Sequence, residues 1–136
     1  MFWVEEYRRH AFVLTIIDTF TRVALHWCVG YSMKWTDVRR AWEAVIENHL
    51  QPADMLAKGF DIEVRSDNGP QFLANRLREF FRDNHLCQVY THPYTPQENG
   101  HVESFHSIIS LALRHDTFWT LKQLEIRLAI FYEKYN

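Results

Sequence analysis

The chain has 136 residues, 47% of them hydrophobic and 15% aromatic, with a formal net charge of −2 and two cysteines. That length and apolar content suit one folded domain and exclude a disordered chain, and no apolar run approaches the roughly 18 residues of a membrane span. The near-neutral charge excludes an autonomous basic DNA-binding module, because affinity for duplex comes mostly from Lys and Arg neutralising phosphates.

Phe12–Ile17 and Val23–Val29 are continuous apolar, β-branched runs joined by Asp18-Thr19-Phe20-Thr21-Arg22, which predicts a hairpin. A further strand is expected upstream, around Phe2–Tyr7. From Thr36 the period changes: Val38, Trp42, Val45 and His49 recur at helical spacing, with Thr36 as N-cap and Asp37 favouring the N-terminus, so a helix is predicted over 37–49. Ile62–Arg65 returns as a strand, and Gly69 marks the turn after it. Leu73, Leu77, Phe80 and Phe81 then mark one face of a helix from Pro70 to near Asn84, followed by a short strand over Leu86–Tyr90.

Thr95-Pro96-Gln97-Glu98 has the form of a capping box with Pro at the first helical position, but Gly100 weakens that helix start. The segment His92–Gly100 is therefore expected to be mobile and the stable helix to begin near Gly100, with Val102, Phe105, Ile109 and Leu113 as its apolar stripe. Thr120-Leu121-Lys122-Gln123 is a second capping box, after which Leu124, Leu128, Phe131 and Tyr135 continue at helical spacing. The order β-β-β-α-β-α-β-α-α predicts an α/β fold, a five-stranded mixed sheet with helices on both faces, formed by 1–136 as a single domain. Cys28 and Cys87 fall in predicted strands and read as buried thiols, too few and too far apart for a disulfide scaffold or zinc knuckle.

Asp67 and Glu103 carry the chemistry. They are separated by 35 residues and sit in the polar signatures Ser66-Asp67-Asn68-Gly69 and Asn99-Gly100-His101-Val102-Glu103. Asp67 follows the alternation of Ile62 and Val64 to a strand end, and Glu103 opens a helix. Carboxylates delivered from those two elements can converge, and acidic oxygens in one cleft suit hard cations such as Mg2+. Set against this, Asp-Asn-Gly is a common turn sequence, and Glu103 could be an ordinary solvent-facing helix residue.

With the run Ile16-Ile17-Asp18-Thr19-Phe20-Thr21-Arg22, with Ser66-Asp67-Asn68-Gly69-Pro70-Gln71-Phe72, and with Pro93-Tyr94-Thr95-Pro96-Gln97-Glu98-Asn99-Gly100-His101-Val102-Glu103-Ser104-Phe105, the chain resembles the catalytic core of the DDE recombinases, the group of retroviral integrases and insertion-sequence transposases. The resemblance implies an RNase H-like fold, a two-metal site using Mg2+ or Mn2+, and cleavage and strand transfer of DNA 3′ ends. It assigns Asp67 and Glu103 as catalytic and metal-binding residues. Its loop before the catalytic Glu contacts DNA near the reacting phosphate, which points to His92, Tyr94, Gln97 and Asn99. In the family, flanking domains supply much of the DNA affinity, and neither a His/Cys zinc domain nor a basic tail stands here, so the chain is expected to be a core without them.

Two departures matter. The family's first catalytic Asp is expected near Met1–Val4, none of which is acidic, so the first strand is expected to be truncated just after it; Glu5, Glu6 or Asp18 are the other candidates for a third acid. Where many members carry Lys or Arg seven positions after the catalytic Glu, this chain has Ser110, and Arg114 one turn later is the candidate DNA contact. The partners expected are element-end and target DNA, and a second copy of the chain through the apolar C-terminal helices bearing Phe118, Trp119, Phe131 and Tyr132, with no membrane or small-molecule substrate. The expected location is the cytoplasm of a bacterial host. The rival expectation is a decayed core that dimerises or binds DNA without catalysis.

Overall fold

The computed structural model describes residues 1–18, 21–50, 62–66, 70–90 and 100–136, with only the backbone described over 100–104. The chain divides into two compact units, Met1–Met33 with His101–Asn136, and Lys34–Gly100.

In the first unit β1 (Phe2–Val4), β2 (Arg9–Ile17) and β3 (Ala24–Gly30) form an antiparallel sheet in that order. β1 pairs Trp3 with His10, and β2 pairs Leu14 with Cys28. β1 is shorter than expected because the chain turns at once: Arg8 N–H bonds the Glu5 carbonyl and Arg8 takes a left-handed φ of 51°. The β2–β3 turn closes through Asp18 N–H to the Val23 carbonyl at 3.0 Å, with Arg22 at φ 63°.

Two helices complete this unit, called α4 (Gly100–Leu113) and α5 (Leu121–Tyr135) in the chain-order numbering that counts the three helices of the second unit. Phe105, Ile109 and Leu113 of α4 and Leu124, Leu128, Phe131 and Tyr132 of α5 are buried with Val4, Ala11 and Ala24 in one apolar cluster. Of the stripes read from the sequence, Phe105, Ile109, Leu113, Leu124, Leu128 and Phe131 are found inside; Tyr135 is half-buried, with Tyr132 buried in its stead, and the Val102 side chain lies outside the described ones. Thr120 caps α5 by accepting from Gln123 N–H at 3.2 Å, while the Gln123 side chain reaches past Thr120 to Trp119 N–H at 2.9 Å. Phe118 is in the core and bridges to Val4 of β1, whereas Trp119 is 64% exposed.

The second unit holds α1 (Trp35–Val45), β4 (Ile62–Ser66), α2 (Pro70–Leu73), α3 (Asn75–Asp83) and β5 (Leu86–Tyr90). β4 and β5 pair in parallel, with Val64 opposite Gln88 and Ser66 opposite Tyr90. α1 starts earlier than a Thr36 cap implies: Lys34 is the N-cap, and the Asp37 carboxylate accepts from Lys34 N–H at 2.9 Å, satisfying that donor from the third helical position. Beyond Val45 the chain widens into a π-helix over Ile46–Leu50. A continued α-helix would carry Leu50 about a third of a turn away from the Val38 stripe; the wider winding turns the chain less per residue, and Ile46 and Leu50 are both buried.

The single helix expected from Pro70 is broken at Ala74, which is extended at φ −60° and ψ 131°. Its physical cause is the Phe72 carbonyl, which accepts from the Gln88 side chain at 2.9 Å and the Tyr90 hydroxyl at 3.0 Å. Cys87 is exposed and Cys28 half-buried, correcting the expectation of two buried thiols; Cys87 lies between Leu86, which is buried, and Gln88, and strand alternation turns it outward. The α/β class and the mixed strand pairing are as expected, while a five-stranded sheet is not a property of either unit alone. No described helix is long and apolar enough to cross a membrane.

Candidate active site

β4 delivers the chain to the first acidic signature. Val64 and Ser66 are buried and Glu63 and Arg65 exposed, the alternation of a strand with one face covered. Residues 67–69, including Asp67, lie outside the described residues, as do His92, Tyr94, Gln97 and Asn99, and with them the expected mobile segment. What is described is the frame on either side of Asp67. Ser66 is held in the ladder opposite Tyr90, and α2 begins at Pro70 and carries the Phe72 carbonyl that Gln88 and Tyr90 grip. The Tyr90 hydroxyl also accepts from Arg78 Nε at 3.2 Å, and the guanidinium lies 5.7 Å from the Tyr90 ring centroid. Neither Gln88 nor Tyr90 was singled out in the sequence, where a polar residue alternating with apolar ones on a short strand was the only signal.

Glu103 stands on α4, in the turn before the buried Phe105. Seven residues are nearly two helical turns, so the backbone positions of Glu103, Ser110 and Arg114 follow one side of α4, away from the Phe105, Ile109 and Leu113 stripe. Ser110 and Arg114 are exposed and line an open groove of about 390 Å³ with Met1, Trp3, Glu5 and Asp116. Asp116 is engaged there by Arg127 Nε at 3.1 Å, and Arg114 is a cationic side chain of the groove at the end of the Glu103 side of the helix.

The candidates for a third acid are placed differently. Asp18 follows β2, and its backbone closes the hairpin at both its N–H and its carbonyl. Glu5 accepts from Trp3 Nε1 at 2.9 Å. Glu6 accepts from the Tyr31 hydroxyl at 2.6 Å and from Leu121 N–H, the first residue of α5, at 3.3 Å. Glu6 is thus committed to the exposed donors of a helix N-terminus, where a carboxylate is stabilised. Desolvation and this hydrogen bond to Glu6 push the Tyr31 hydroxyl up to about 12. Among the described residues no group of three His, Cys, Asp or Glu side chains is assembled for a metal. The donor set that the sequence supplies, two carboxylates, is nevertheless the oxygen chemistry that Mg2+ and Mn2+ take.

Comparison with known proteins bears on the whole chain. Residues 1–96 match one family model described as an integrase core domain, and residues 84–136 match a second of the same description. The chain is 25% identical over 124 residues to an uncharacterized 39.2 kDa protein of insertion element IS476 from Xanthomonas euvesicatoria, covering 90% of this chain and 33% of that protein. It is 26% identical over 140 residues to the Gag-Pro-Pol polyprotein of Human T-cell leukemia virus 2, covering 89% of this chain and 9% of the polyprotein. Among solved structures, the catalytic domain of Mos1 mariner transposase is similar at a TM-score of 0.75 and 13% identity, covering 98% of this chain and 65% of that one. A structure of that domain with raltegravir and Mn is similar at 0.73 and 13% identity, covering 98% and 66%. The α/β fold found here is the RNase H-like fold of those catalytic cores.

Proposed function

The chain belongs to the integrase core domain family, and from that premise we propose that it is the catalytic core of a DNA transposase or integrase, acting on element ends and target DNA as one domain. The observation that carries this reading is the pair of acidic signatures whose carboxylates have 35 residues between them, with Asp67 directly after the buried end of β4 and Glu103 on α4. Asp67 and Glu103 would hold Mg2+ or Mn2+, which when bound supplies Lewis-acid stabilisation of the charge developing on the attacking and leaving oxygens.

The reaction takes two steps at one site. In the first, a water oxygen forms a new bond to phosphorus at the element end, the bond to the 3′ oxygen breaks, and that oxygen takes up a proton. In the second, the freed 3′-hydroxyl loses its proton and attacks a target phosphodiester, displacing the target's own 3′ oxygen, so one P–O bond replaces another. Arg114 would neutralise phosphate along the Glu103 side of α4, and His92, Tyr94, Gln97 and Asn99 would contact DNA near the reacting phosphate.

Calorimetric titration of the chain with Mn2+ tests the metal assignment, together with a joining assay on 3′-hydroxyl-ended DNA. Binding is expected in the wild type and loss of binding in Asp67→Asn and Glu103→Gln; equal affinity in all three would remove the reading. Joining is expected to be slow, because Met1–Val4 offers no acid and two carboxylates leave two cations short of negative ligands. A second reading, a core that dimerises or binds DNA without chemistry, is favoured by Ser110. It predicts DNA binding that is indifferent to both substitutions and to Mn2+.

A further inference from the structure

We infer that the groove between β1 and the end of α4 seats one unpaired nucleotide of a DNA strand, with its base stacked on Trp3 and its phosphate held by Arg114. The inference deepens the DNA-binding role proposed above and rests on it. Phe2 and Trp3 of β1 line one side of the groove, and Leu113, Arg114 and Phe118 line the other. These two sides are tied to each other. Val4 bridges to Phe118, Glu5 N–H bonds the Phe118 carbonyl at 3.0 Å, and Val4, Leu113 and Phe118 are buried in one cluster.

Trp3 is placed as a platform and not as core. Its neighbour Val4 is fully buried, and strand alternation turns Trp3 to the opposite face, where it stays 44% exposed. The indole is nevertheless held, because Nε1 donates to Glu5 at 2.9 Å and the ring meets the His10 ring edge to face at 5.2 Å between centroids. A ring ordered by its own contacts loses little further side-chain freedom when a base is laid on it.

The charges of the groove leave a place for phosphate. Glu5 is engaged by Trp3 and Asp116 by Arg127, whereas the Arg114 guanidinium has no hydrogen bond or ion pair among the described residues. Ser110, one turn before Arg114, adds a hydroxyl to the same groove. An exposed aromatic ring beside an unspent cation is the pairing that binds single strands, where the ring takes a base face and the cation takes the backbone. A paired duplex fits it poorly, because its base faces are hidden in the stack and meet a side chain only when a nucleotide leaves it. The groove's volume of about 390 Å³ is at the small end of ligand-sized clefts, room for one nucleotide and not for a duplex.

The experiment is fluorescence anisotropy at low salt on the whole chain, with a labelled blunt duplex and the same duplex carrying a short unpaired overhang. Trp3→Ala and Trp3→Phe are compared with wild type and with Tyr7→Ala, an aromatic residue 69% exposed that does not line the groove. Thermal unfolding of each variant is followed in parallel. Wild type is expected to prefer the overhang, and Trp3→Ala to bind it about tenfold more weakly, the scale of one base–aromatic stack, with blunt duplex unaffected. Trp3→Phe, which loses the Glu5 bond but keeps a ring, should retain most of the preference, and Tyr7→Ala all of it. Equal wild-type affinity for the two DNAs, or equal losses on both in Trp3→Ala, would overturn the inference while the DNA reading stands. If wild type binds neither DNA, the DNA reading fails and this inference fails with it.

Discussion

The hydroxyls of Thr15 on β2 and Tyr132 on α5 lie 2.6 Å apart, a hydrogen bond between residues 117 positions apart in the chain. Tyr132 is 3% exposed and stacks between Trp27 and Phe105, at 4.8 and 5.7 Å between ring centroids, so its hydroxyl is the polar tip of an otherwise apolar contact. Tyr132→Phe leaves Thr15 without that partner and is expected to cost about 1–2 kcal/mol, measured by urea denaturation. Thr15→Val added to it should recover part of the loss, because no half-buried hydroxyl is then stranded.

The same tyrosine sets an alkaline limit. Burial pushes its hydroxyl from 10.0 up to about 12; the Thr15 bond pulls it down in part, and Cys28 and Tyr135 nearby raise it further. The folded state therefore holds this proton more tightly than the unfolded chain. Its contribution is fully present below pH 10 and is lost as pH rises toward about 12. The stability difference between wild type and Tyr132→Phe, followed from pH 9 upward, is expected to shrink through that window.

Glu6 is read as a structural acid. Glu6→Ala removes the partner of Tyr31 and of Leu121 N–H and is expected to lower stability by about 0.5–1 kcal/mol, the scale of an exposed charge at a helix N-terminus. Mn2+ affinity should not change. A loss of affinity with no loss of stability would make Glu6 the third acid.

His85 holds φ 59° at the turn between α3 and β5, directly after the Asn84 C-cap, and its N–H bonds the Arg82 carbonyl. That is the left-handed position for which glycine is the unstrained residue. His85→Gly is expected to raise stability by about 0.5–1 kcal/mol, visible as a higher denaturant midpoint at an unchanged slope.

Arg114 is exposed at the end of the Glu103 side of α4. Arg114→Glu is expected to weaken binding of element-end duplex about tenfold at low salt and to flatten the salt dependence by about one unit of slope. Unchanged affinity and slope would exclude it from the DNA contact.

Local chemistry was legible from the sequence alone. The stripes of α4 and α5, the Thr120 cap, the hairpin of β2 and β3 and the strand at β4 all follow from residue type and period within a few positions. So do the candidate acids, because carboxylate chemistry and the spacing of Asp67 and Glu103 are properties of the string. The tertiary structure decided what depends on partners far along the chain. The break at Ala74 exists because donors on β5 claim the Phe72 carbonyl, the π-helical turn exists because Leu50 is drawn inside, and Cys87 is exposed because of the face on which β5 lies. Glu6 reads as one acid among several until Tyr31 and Leu121 are brought to it. Period and propensity report only the chain's own neighbours. A hydrogen bond or a buried face made across 16 or 115 residues leaves no periodic trace, so it is settled only when the chain has folded.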